Sequence, residues 1–166
     1  MELRPGRRIE PLLATAWICS DDGREWRFTL RPNVRFHDGT PLTLDAAARS
    51  FRRLLSPTRG LAGGSKFRSI VSEVQTEGED TLIFRLHRPF AFFLVLMALG
   101  QADIVSPAVD EKGMLDRHPS GTGPYRFVSR DAHERVVEER NPFSWGSRPA
   151  FDTLSWDWSP APSVLQ

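Results

Sequence analysis

Three glycine- and proline-bearing segments follow one another along this chain: Phe36-His37-Asp38-Gly39-Thr40-Pro41-Leu42-Thr43, Gly121-Thr122-Gly123-Pro124-Tyr125, and Glu139-Arg140-Asn141-Pro142-Phe143-Ser144-Trp145-Gly146. Each forces the backbone to turn, because glycine accepts positive φ at little cost while proline fixes φ and removes a donor. With these breaks in place, the pattern between them predicts short alternating strands and helices.

A length of 166 residues is close to one average domain, so a sizeable core is possible and two full domains are not expected. Hydrophobic residues at 40% and charged residues at 26% belong to a globular chain and argue against disorder. The formal net charge of +1 gives no electrostatic reason to expect nucleic acid or an anionic membrane as partner. Cys19 is the single cysteine, which excludes an intrachain disulfide, and its apolar surroundings suggest a small buried core residue. Met1 is followed by no apolar run of signal-peptide length, and the stretch Phe90 to Leu99 is about half of the ~20 residues a bilayer span needs.

Trp26, Phe28 and Leu30 alternate with Arg27, Thr29 and Arg31, the period of a half-buried strand, behind a turn at Asp21-Asp22-Gly23. After Gly39, Thr43 is placed to cap a helix whose apolar stripe is Leu44, Ala47, Phe51, Leu54 and Leu55, and Ser56-Pro57 ends it. Three glycines between Thr58 and Ser65 predict a mobile loop. Val71 to Thr76 and Thr81 to Leu86 form a hairpin pattern, with Leu82, Phe84 and Leu86 facing inward. An apolar helix is expected over Phe90 to Leu99, a short strand over Asp103 to Val105, a short helix within Asp110 to Ser120, a second hairpin from Tyr125 to Arg140, and a last strand carrying Leu154, Trp156 and Trp158.

The ordered set resembles the family 5 extracellular solute-binding proteins of bacterial ABC importers, the peptide and nickel binders. The run from Pro11 through Ser20-Asp21-Asp22-Gly23 to Arg31 is similar to the family's opening segment, Phe36 to Thr43 to its most recognisable run, and Asp45 to Arg53 to the helix after it. Ile104-Val105-Ser106-Pro107, Gly121 to Tyr125 and Glu139 to Gly146 match later blocks, so the likeness covers about Pro11 to Trp158.

This resemblance implies an α/β fold of mixed α+β character, like type II periplasmic binding proteins but incomplete, with the second lobe missing. Residues 1–10 would be a leader remnant or linker, 11–105 a small extra lobe-like region, 106–158 part of the first main lobe, and 159–166 a tail. It further implies non-covalent capture of a peptide or small-molecule ligand for an ABC permease, at the periplasm or as a cell-surface lipoprotein. Without a signal peptide the chain as it stands would be cytoplasmic, with no direct membrane span and no nucleic-acid partner. A stand-alone structural or interaction module derived from such a protein is the alternative.

Candidate ligand contacts implied by the resemblance are Arg59 and Lys66 in the glycine-rich loop and the turn Leu99-Gly100-Gln101. Arg59 offers a planar fork to a carboxylate and Gln101 a hydrogen bond to a peptide group; the plainer alternative leaves Arg59 and Lys66 as solvated loop charges. Leu99, Gly100 and Ala102 stand where peptide and nickel binders often carry aromatic or arginine residues. His37-Asp38 reads as turn chemistry and not as an acid/base pair, since neighbouring side chains in a turn diverge. Trp145 reads as an anchor packed against its own lobe, and Asn141-Pro142 as a turn. His37, His87, His118 and His133 lack short ligand spacing, so no metal site or other cofactor is expected from the chain alone. Gly-Thr-Gly-Pro lacks the Lys-Ser/Thr ending of a phosphate loop, and Ser120 is not framed as Gly-x-Ser-x-Gly, so no enzyme activity is expected.

Overall fold

A computed structural model describes residues 2–4, 8–61, 63–98, 102–131 and 135–157. Strands β1 (Glu2–Arg4) and β2 (Arg8–Glu10) form a small antiparallel pair. Strands β3 (Ala14–Cys19) and β4 (Glu25–Leu30) follow, joined by the turn expected at Asp21 to Gly23. There the Ser20 hydroxyl donates to Asp22 Oδ1 at 2.6 Å, and Gly23 takes φ 68° to close the reversal. Helix α1 (Leu44–Leu55), a 3-10 turn (Pro57–Arg59), helix α2 (Gly64–Ile70) and the hairpin β5 (Val71–Glu77) and β6 (Thr81–Leu86) complete the first layer. The strands run antiparallel in the order β3-β4-β6-β5.

Helix α1 packs its buried face (Ala47, Ala48, Phe51 and Leu54) toward this sheet, and the Ala46 N–H donates to Thr43 Oγ1 at 3.1 Å as the cap requires. Phe84 is fully buried at the centre, with ring centroids of Phe51 at 4.8 Å, Phe28 at 5.5 Å, Phe93 at 5.6 Å and Phe67 at 6.3 Å. Such offset and edge-on pairs add to the area each ring buries.

Helix α3 (Phe93–Met97) adds Phe93 and Leu96 to the same core, and the chain continues through α4 (Pro107–Glu111) into a second antiparallel sheet, β7 (Tyr125–Arg130), β8 (Val136–Arg140) and β9 (Thr153–Trp156). Trp158, His133 and Leu99-Gly100-Gln101 lie outside the described residues. Among the described residues, no helix is long and apolar enough to cross a membrane.

Several local expectations need correction. The glycine-rich loop is shorter than its composition predicts, because α2 begins at Gly64 and is held by Phe67, buried against Phe51; tertiary packing overrides glycine's poor helix propensity. The apolar helix starts only at Phe93, since the Phe93 N–H closes a turn onto the Phe90 carbonyl at 3.1 Å. Asp103 to Val105 is not a strand. Its ladder partner is a single side chain, Ser50, whose hydroxyl accepts from the Val105 N–H and donates to the Val105 carbonyl, both at 3.1 Å. The helix expected after Asp110 instead begins at Pro107, where a missing N–H costs nothing. Cys19 is only partly buried, because β3 is an edge strand; burial, then the nearby Asp22 and Asp21, pushes its thiol pKa up.

Candidate functional site

The three turn segments that stand far apart in sequence meet at one carbonyl. Gly123 O accepts from Asn141 Nδ2 at 2.8 Å and pairs with His37 Nε2 at 3.1 Å. Asn141 is buried and fully engaged, since its Oδ1 accepts from the Phe143 N–H at 2.9 Å and its own N–H donates to the Pro124 carbonyl at 2.9 Å. Because the Gly121 N–H donates to His37 Nδ1 at 3.2 Å, that nitrogen carries a lone pair and the proton sits on Nε2. Burial holds the His37 pKa below the ordinary histidine value; the Gly123 bond, Asp38 and Glu138 oppose this, while Arg126 adds to it.

Asp38 fastens the same junction to the next segment. Its Oδ1 accepts from the Thr40 N–H at 3.0 Å and the Thr40 hydroxyl at 2.6 Å, while Oδ2 accepts from Ser106 Oγ. Partial burial would raise its pKa, but these hydrogen bonds from Ser106 and Thr40 win and the carboxyl is held below the usual range. His37 and Asp38 are therefore both occupied by structural bonds and do not face each other as acid and base.

On this junction rests an open cleft of about 750 Å³, walled by Leu13, Asp103, Ile104, the 119–124 strand approach and Trp145. The Trp145 indole N–H donates to the Thr122 carbonyl at 3.0 Å, and the Arg31 guanidinium lies 4.7 Å over its ring. Leu12, Leu13, Asp103 and Ile104 also line a smaller apolar cavity of about 120 Å³ reaching toward Phe28 and Phe84. The Ser120 hydroxyl, buried beneath the cleft wall, lacks a partner among the described residues, and Asp103 on the wall is exposed overall although partial desolvation raises its carboxyl pKa.

Arg59 lies elsewhere, in a separate 270 Å³ groove with Arg49, Arg53 and Glu111, where its guanidinium meets Asp110 Oδ2 at 3.4 Å. Lys66 is exposed on α2. The structure does not bring either to the cleft wall, and Leu99, Gly100 and Gln101 fall outside the described residues, directly before Ala102 and Asp103. Asp103, Ser120 and Thr122 escaped sequence reasoning. Their only signal was position, Asp103 beside the Ile104 to Pro107 block and the others within or beside Gly121 to Tyr125.

A family profile described as bacterial extracellular solute-binding proteins, family 5 Middle, matches residues 8–165. The probable D,D-dipeptide-binding periplasmic protein DdpA of Escherichia coli (strain K12) is 37% identical over 154 residues, 89% of this chain and 29% of that protein. The nickel-binding periplasmic protein of the same organism is 31% identical over 160 residues, 94% of this chain and 30% of that protein. Among solved structures, the periplasmic binding protein AgaA of A. tumefaciens R10, in complex with agropinic acid, superposes with a TM-score of 0.82 at 26% identity, over 91% of this chain and 31% of that one. The chain thus spans under a third of the length of these relatives. With its mixed α/β fold and the profile match over nearly its whole length, the chain belongs to the family 5 bacterial extracellular solute-binding proteins.

Proposed function

We propose that this chain supplies one wall of the ligand cleft of a peptide-type solute-binding component of an ABC importer, which captures its solute non-covalently for delivery to a membrane permease at the periplasmic or cell-surface side. The observation that carries this reading is the cleft built directly on the convergence of the three family-like segments at Gly123. In this reading, residues 11–105 form the small extra lobe and residues 106–158 part of the first main lobe. The facing wall comes from the part of such proteins that this span does not cover. Relatives named for a D,D-dipeptide and for nickel, and one solved with agropinic acid, share this span, which fits a common wall with ligand choice made by a few side chains.

The site favours capture over catalysis. Ser120, the one hydroxyl in a nucleophile-like context, has no base within hydrogen-bond reach among the described residues, and the His37 ring is used up by two backbone groups. Arg59, Lys66 and Leu99-Gly100-Gln101 stay candidate contacts in this reading, and Asp103 and Trp145 on the cleft wall join them. Isothermal titration of the 166-residue chain with di- to pentapeptides tests the one-wall reading. Binding weaker than micromolar is expected, because a single wall leaves the ligand hydrated; micromolar or tighter affinity contradicts it.

A second reading has its own observation. Phe151, Trp156 and Val128 on or beside the second sheet are exposed, as a self-associating interaction module would need. Size exclusion with light scattering separates the two: one discrete oligomer favours the module, heterogeneous association favours a lobe lacking its cover.

A further inference from the structure

We propose that His37 is a proton-operated latch on the cleft: with ring Nδ1 unprotonated it holds Gly121 and fixes the 119–124 wall, and proton uptake at Nδ1 frees that wall and weakens solute capture. The proposal rests on the cleft reading above and adds a means of regulating it. Successive carbonyls of the wall accept from other parts of the chain: Ser120 from the Ser106 N–H at 2.9 Å, Gly121 from the His37 N–H at 2.8 Å, Thr122 from the Trp145 indole at 3.0 Å and Gly123 from Asn141 Nδ2 at 2.8 Å. None of these four donors titrates near neutral pH. The return bond, from the Gly121 N–H to His37 Nδ1 at 3.2 Å, differs from them because its acceptor takes up a proton in mild acid.

The two ring nitrogens respond in opposite ways. A proton on Nδ1 turns that acceptor into a donor aimed at the Gly121 N–H, so the bond is lost, whereas Nε2 stays a donor and its 3.1 Å bond to the Gly123 carbonyl strengthens on the charged ring. Release is therefore confined to the Gly121 side of the wall. The charged groups around the ring are Asp38 beside it, Arg126 on β7 and Glu138 on β8. Each has another partner: Asp38 accepts from Thr40 and Ser106, Arg126 Nε donates to Glu139 at 2.7 Å, and Glu138 accepts from the Trp156 indole at 2.8 Å. Burial, with Arg126 adding to it, keeps the His37 pKa below the ordinary histidine value of about 6.5, so the latch is shut at neutral pH and opens in acid.

The test is nuclear magnetic resonance of the whole chain across the His37 titration, read from the ring nitrogens, with two measurements. The first is hydrogen exchange of the Gly121 amide, corrected for its intrinsic pH dependence, beside that of Phe84 in the core. Gly121 protection is expected to fall about tenfold as the ring titrates, the equivalent of one hydrogen bond, while Phe84 keeps its protection. In His37→Asn, whose amide oxygen accepts at either pH, the Gly121 change is expected to disappear. The second is titration with Ala-Ala, a zwitterion at both pH 7 and pH 5, followed at the Thr122 amide and the Trp145 indole. Weaker binding at pH 5 in the native chain, and equal binding at the two values in His37→Asn, is the expected result. Gly121 protection that ignores the ring titration, or that falls only together with Phe84, overturns the latch and leaves the cleft reading standing; the native chain alone decides this, even where the variant does not fold. Equal native affinity at both pH values overturns the coupling to capture, and absence of Ala-Ala shifts at either value overturns the cleft reading with it.

Discussion

His37 and Gly121 are bonded in both directions: the His37 backbone N–H donates to the Gly121 carbonyl at 2.8 Å, and the Gly121 N–H returns the bond to ring Nδ1 at 3.2 Å. The second bond requires Nδ1 to be unprotonated, so the latch is pH-sensitive. The His37 pKa is held below the ordinary histidine value of about 6.5. Above that value both folded and unfolded chains carry a neutral ring and the full stability is present. As pH falls through about 6.5 toward the lower folded value, the unfolded chain takes up the proton first and stability is lost. Urea midpoints at pH 7.5 and 5.5 should therefore differ, with the lower pH less stable, and the His37 contribution to that difference should vanish in His37→Gln.

Gly39 ties the first segment to the third. It sits at φ 85°, and a Cβ placed there would lie 3.4 Å from the Phe143 ring. Gly39→Ala is expected to cost about 1 kcal/mol or more, through backbone strain and not through lost contacts. Chemical denaturation checks this, and a neutral result would mean that the turn relaxes freely.

Asn141→Asp replaces the amide that donates to the Gly123 carbonyl with an oxygen that cannot donate when ionised. A loss of about 2–3 kcal/mol at neutral pH is expected, partly recovered when acid protonates the new carboxyl. Thermal melts at two pH values read both effects.

Phe84→Ala removes the ring that four other phenylalanines touch and should destabilise the first layer by about 3–5 kcal/mol. Urea unfolding measures it.

What the sequence disclosed follows from how local each signal is. The cap at Thr43, the stripe from Leu44 to Leu55 and the inward set Leu82, Phe84 and Leu86 are short-range patterns, and the structure has them all, with Leu44 and Leu55 only partly buried. The turn segments were visible as turns, yet their meeting at Gly123 was not, because no local period links His37 to a glycine 86 residues later. Asp103 to Val105 looked like a strand since extended backbone was right, but its partner proved to be the Ser50 side chain. Arg59 is a candidate ligand contact only through the family resemblance; its pairing with Asp110, 51 residues away, could not be read locally.

The central claim is that the wall between Asp103 and Trp145 receives the solute. A crystal structure of this chain soaked in concentrated Ala-Ala tests it most directly. Ordered dipeptide density between those two side chains is the predicted result; an empty cleft, or density only in the groove of Arg59 and Asp110, would contradict it.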